Sequence, residues 1–122
     1  MSFKKLIEPL KEILEKKAFK HPLPLQKLVL PKIKGGVSLF CIAPKGKGKT
    51  TSIILSVIQK LNAQAFEDVP RALIFVKDKE AAISLERASQ QFTKGQDLRI
   101  YCAYDEHTID LQRDEIYLGT DI

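Results

Sequence analysis

A chain of 122 residues, 44% hydrophobic and 29% charged, is one domain at most and carries enough apolar material for a core. No apolar run approaches the roughly 18 residues that span a bilayer, and Met1–Lys5 is followed by an amphipathic, charge-laced segment rather than an unbroken apolar stretch, so no secretory signal is expected. The net charge of +5 is uneven: residues 1–50 hold twelve lysines against three glutamates, whereas residues 51–122 hold eight basic and twelve acidic side chains. That surplus fits either a polyanion partner for the first half or the plain solvation of two lysine-rich helix faces.

In chain order, Leu6, Ile7, Leu10, Ile13 and Leu14 recur at helical spacing, with Pro9 marking a start or a bend. Pro22 and Pro24 then enforce an extended turn. A short second helix is expected through Leu28, Val29 and Leu30 to Ile33, closed by Gly35-Gly36. Residues 37–43 form an apolar run of strand length, and a helix follows from Thr50 to Leu61 on Ile53, Ile54, Val57, Ile58 and Leu61. A second strand is expected over 72–76, a long helix over 79–92 with Ala82, Leu85, Ala88 and Phe92 inward, and a third strand over 98–103. Residues 105–118 read as a weak helix or an irregular connection, with Asp105-Glu106-His107 a polar loop. Strands alternating with helices imply crossover units, hence an α/β fold with a parallel sheet flanked by helices. Cys41 and Cys102 lie in the strand runs without zinc-ligand spacing, and read as buried free thiols of a reducing, cytoplasmic setting.

Between the first strand and its helix stands Ala43-Pro44-Lys45-Gly46-Lys47-Gly48-Lys49-Thr50. Gly48-Lys49-Thr50 matches the end of the phosphate-loop pattern, while Ala43 replaces its first glycine. Gly46 and Gly48 still let backbone N–H groups curl around an anion, and the following helix presents its positive end. Lys49 is expected at the terminal phosphates and the Thr50 hydroxyl on magnesium. The loop residues expected to hold the nucleotide are Ala43, Lys45, Gly46, Lys47, Gly48, Lys49, Thr50 and Thr51. Lys45 and Lys47 add two cations, directed to phosphate or to solvent.

The order of helix, aromatic, Pro-x-Pro-x-Gln, short helix, strand and A-x-x-G-x-G-K-T resembles the start of the DEAD-box RNA helicases. Residues 19–26 are similar to their adenine-reading Q motif. The resemblance implies that Gln26 pairs with the adenine edge and that Phe19 stacks on the ring, and a carboxamide does offer adenine one donor and one acceptor. Lys77-Asp78-Lys79-Glu80-Ala81-Ala82 stands in the place of the family's RNA-contacting P-T-R-E-L-A motif and keeps only Glu80 and an alanine. Tyr101–Tyr104 replaces the usual glycine pair, and residues 119–122 resemble the lead-in to the T-P-G-R strand.

The resemblance implies a RecA-like phosphate-loop domain, with residues 1–36 as a helical preface and 37–122 as a partial core. ATP and Mg2+ are its implied cofactors and RNA the partner of the full-length protein, with no membrane. No D-E-A-D, S-A-T or arginine-finger segment occurs in the sequence. Hydrolysis needs a placed water and charge stabilisation, so the expectation is a truncated domain that binds ATP, hydrolyses it negligibly, has no catalytic residue of its own, and self-associates through open sheet edges. Two other readings remain at this point: a small phosphate-loop kinase or phosphotransferase, and a non-catalytic nucleic-acid or protein module with a vestigial loop.

Overall fold

The computed structural model describes residues 3–122, without the side chain of Lys4, and divides into two compact units, Met1–Asn62 and Ala63–Ile122. The first unit opens with a 3-10 turn, Phe3–Lys5, followed by helix α1, Glu8–Lys16. Pro9 sits in the first turn of α1, where its missing N–H costs nothing and its fixed φ favours the helix. Leu10, Ile13 and Leu14 are the buried stripe, as their spacing requires. Helix α2, Pro24–Lys34, starts earlier than the sequence suggested, because Pro24 occupies its first turn instead of extending the preceding turn. Helix α3, Lys49–Lys60, packs against both α1 and α2. Ile54, Leu55 and Ile58 fill this interface, and Leu55 and Ile58 are fully buried, each worth about 1.5–3 kcal/mol by burial. Ile53 faces outward at 43% exposure. Gln59, on the same helix, accepts the Ile7 N–H through Oε1 at 2.9 Å and so fixes the segment that enters α1.

The second unit holds helix α4, Lys79–Thr93, and helix α5, Ile109–Tyr117. Both begin on side-chain caps: Asp78 Oδ1 accepts the Ala81 N–H at 2.8 Å, and Thr108 Oγ1 accepts the Leu111 N–H at 3.2 Å. Residues 109–117, read from sequence as a weak helix or a connection, are therefore helical. Of the inner stripe expected on α4, Phe92 is buried, while Ala82, Leu85 and Ala88 are only half-buried.

The expected parallel sheet is not formed among the described residues. Runs 37–44, 72–76 and 98–104 are straight, without turn or bend, but none is a strand, and the isolated bridge joins Gln64 and Asp97 in parallel. Among the described residues, 38–43 exchange no backbone hydrogen bond with another straight run. With no neighbour to shield them, Phe40, Ile42 and Phe75 stand 88%, 85% and 90% exposed. The expectation of buried thiols fails for the same reason: Cys41 is exposed and Cys102 half-buried, though both are free.

What organises the second unit is a buried carboxylate. Asp121 is fully buried, and its oxygens accept from Arg71 Nη2 at 2.9 Å, Arg99 N at 3.0 Å and Arg99 Nε at 3.2 Å. Burial pushes this carboxyl up, but hydrogen bonds from Arg99, Arg71 and the Phe66 N–H outweigh it and hold it at about 2. Arg99 also pairs with Asp68 at 2.9 Å, and the two carboxylates hold its guanidinium charged.

Candidate nucleotide site

Every residue singled out for nucleotide binding lies in the first unit. Two glycines shape the phosphate loop: Gly46 and Gly48 have φ of +84° and +86°, the left-handed region that side chains resist. Gly48 is also the residue from which α3 starts, so the loop runs straight into that helix's first turn and its free N–H groups. Ser52, not anticipated from sequence, steadies the junction. Its buried hydroxyl donates to the Gly48 carbonyl at 2.7 Å, and Ser56 repeats the contact one turn later on Ser52 at 2.6 Å.

Lys49 Nζ donates to the Ala43 carbonyl at 2.6 Å and so closes the loop across its mouth. That bond uses a backbone carbonyl, which explains physically why alanine serves at position 43. Lys45, Lys47 and Thr50 are exposed, and Thr51 is half-buried. Among the described residues no cluster of three His, Cys, Asp or Glu side chains stands ready for a metal.

Gln26 is 4% exposed and reaches the loop. Its Oε1 accepts the Leu23 N–H at 2.9 Å, which caps α2 from within. Its Nε2 lies so close to Gly48 that a Cβ built there would stand 2.8 Å away, and Leu23 Cδ1 would stand at 2.9 Å. The glutamine of the proline-rich segment and the second glycine of the loop are thus direct neighbours. A cavity of about 410 Å³ opens beside Gln26, walled by Phe3, Leu6, Pro22, Lys27 and Leu30. Phe19 sits just past α1, 43% exposed, with its N–H on the Leu14 carbonyl at 2.9 Å. The role of Leu23 escaped the sequence reading, since a leucine has no side-chain oxygen to mark it as a helix start.

The model of the DEAD/DEAH box helicase family matches residues 23–122. The chain belongs to the DEAD/DEAH box helicase family. Among curated members of this family it is 35% identical over 86 residues to the ATP-dependent RNA helicase DBP10 of Kluyveromyces lactis, a match covering 70% of this chain and 9% of the relative. It is 32% identical over 112 residues to the pre-mRNA-processing ATP-dependent RNA helicase PRP5 of Candida albicans, covering 88% of this chain and 13% of the relative. A DEAD box protein from the hyperthermophile Methanococcus jannaschii superposes with a TM-score of 0.81 at 21% identity, over 99% of this chain and 33% of that one. At that identity the likeness speaks for the fold. The chain therefore spans about a tenth of the curated DEAD/DEAH box relatives named here and a third of the solved one. Membership in this family leaves the kinase and vestigial-module readings without support. Among the described residues no helix is long and apolar enough to cross a membrane.

Proposed function

We propose that this chain is the ATP-binding portion of an ATP-dependent RNA helicase, gripping the nucleotide with residues 43–51 and reading its base with Phe19 and Gln26. The observation that carries the reading is the packing of Gln26 against Gly48, which joins a base-reading amide to a phosphate cradle inside one compact unit. Bound phosphates would lie against the N–H groups of Gly46 to Thr50, with Lys49 turning from the Ala43 carbonyl to the terminal phosphates. The residues fit the group: the left-handed glycines leave the loop concave, and the space above Gly46 is open. Thr50 would hold Mg2+ together with phosphate oxygens, and the metal would supply neutralisation of phosphate charge.

RNA is the proposed partner of the whole protein, since the relatives DBP10 and PRP5 are named RNA helicases. The straight runs 37–43, 72–76, 98–103 and 120–122 are our candidates for the strands of a RecA-like sheet, and 1–36 with 37–122 for one domain. A cytoplasmic setting fits the free thiols Cys41 and Cys102. Hydrolysis by these 122 residues is expected to be negligible, because the sequence holds no segment that would place the attacking water.

Calorimetric titration with ATP and GTP tests the base reading. ATP should bind more tightly, and Lys49→Ala should weaken both by at least about tenfold, the worth of one charged hydrogen bond. Equal affinity for the two nucleotides would remove Gln26 and Phe19 from the site. An unchanged affinity in Lys49→Ala would remove the loop.

A further inference from the structure

Residues 3–7 run ahead of α1 as a strap. The strap begins with the 3-10 turn Phe3–Lys5, closed by the Leu6 N–H on the Phe3 carbonyl at 3.1 Å, and ends at Ile7, from which α1 starts. Among the described residues, two side chains from other helices hold its backbone. Gln59 Oε1, in the last turn of α3, accepts the Ile7 N–H at 2.9 Å, and Lys34 Nζ, at the end of α2, donates to the Lys5 carbonyl at 2.5 Å. The lysine bond is exposed and the glutamine bond part-buried, so water replaces the second less readily than the first.

Phe3 and Leu6 of this strap line the cavity of about 410 Å³ beside Gln26, together with Pro22 and Leu30. Phe3, Pro22, Gln26 and Leu30 are all buried, which gives the cavity packed walls. Gln26 Nε2 donates to no group among the described residues, so a donor is left over at this wall. The rest of the wall, within residues 22–35, belongs to α2 and its two ends, whereas the position of the strap is set from α3. Helix α3 carries the phosphate loop at its start and the tether ten residues later, about 15 Å along one stiff axis.

We propose that Gln59 is a positioning residue for nucleotide binding: through the Ile7 N–H it sets how closely the strap covers a base seated beside Gln26. The role presupposes the base reading proposed above and adds a residue that lines neither the cavity nor the loop. Without the tether the loop keeps its own supports, the Lys49 bond to Ala43 and the Ser52 bond to Gly48. The freed strap covers less of the apolar face of the base, and ordering it again opposes binding.

The test is calorimetric titration of the 122-residue chain, Gln59→Met and Gln59→Glu with ATP, GTP and inorganic tripolyphosphate. Methionine keeps the length of the side chain without a strong acceptor, and glutamate keeps the acceptor. Gln59→Met should weaken ATP by about fivefold, the worth of one net hydrogen bond, and leave tripolyphosphate within about twofold. Gln59→Glu should bind ATP as the parent does. Unchanged ATP affinity in Gln59→Met would overturn the proposal. So would an equal loss for ATP and tripolyphosphate, which would make Gln59 a support of the loop. A parent that binds ATP and GTP alike removes the base reading and this role with it; a parent that prefers ATP, with the full preference kept in Gln59→Met, removes this role alone.

Discussion

Gly48 is held to glycine by two separate constraints: a left-handed backbone and the side chains of Gln26 and Leu23 where a Cβ would go. Gly48→Ala should therefore lower both stability and ATP affinity, the first by about 1–3 kcal/mol, read by thermal melting beside nucleotide titration. Gly46→Ala has the same backbone penalty but open space around it, so any excess loss in Gly48→Ala measures the contact with Gln26. Asp121 is the second residue on which much depends. Its folded pKa of about 2 is depressed below the ordinary aspartate value of 3.8, so its stabilisation is complete above pH 4 and drains away as the pH falls toward 2. The amount at stake is about 2 kcal/mol. An acid titration followed by circular dichroism should show that loss in the parent chain, and Asp121→Asn should unfold more easily at pH 7 by about 2 kcal/mol, because both arginines lose the charge of their shared partner while Arg99 keeps Asp68. A melting temperature in Asp121→Asn equal to the parent's would show that the cluster contributes nothing.

At the level of elements, helix α3 bears most of the packing in the first unit. Leu55→Ala should cost about 2–5 kcal/mol, while Ile53→Ala, on the outward face, should stay within about 1 kcal/mol; urea unfolding separates the two. The sequence pattern puts Ile53 on the inner stripe and leaves Leu55 off it, the reverse of their burial. A stripe wider than one row hides which neighbour touches the partner helix. Helices were legible because their signals are local: the period of Leu10, Ile13 and Leu14, the proline in a first turn, the glycine before Lys49. Gly46, Gly48 and Lys49 were legible for the same reason. The contact of Leu23 and Gln26 with Gly48 was not, since it depends on how α2 packs against α3. The apolar runs were legible as extended segments, but not their pairing. An apolar run states that a residue suits burial, and Phe40 and Phe75 remain uncovered because burial needs a neighbour that the run does not itself encode.

For the whole molecule, uncovered apolar side chains sit in both units: Phe40 and Ile42 in one, Leu73 and Phe75 in the other. Patches of this kind bind hydrophobic dyes. The folded chain should enhance the fluorescence of anilinonaphthalene sulfonate at neutral pH, and the double variant Phe40→Ser, Ile42→Ser should cut the signal by roughly half without loss of helix content. A dye signal that appears only on heating or acidification would mean these faces are covered in solution. The uneven charge belongs to the same scale. The lysine surplus of residues 1–50 coincides with the unit that holds the phosphate loop, so attraction of anions and the cradle that would seat them share one half of the chain.

One amide, that of Gln26, has two employers. Its carbonyl oxygen stops the first turn of α2 from fraying, and its nitrogen borders the loop that would seat the phosphates. The bond to Leu23 uses one lone pair of Oε1, so the second lone pair and the Nε2 donors remain for a base while the helix start stays capped. If Gln26 reads the base as proposed, Gln26→Ala should loosen the start of α2 and weaken ATP binding together.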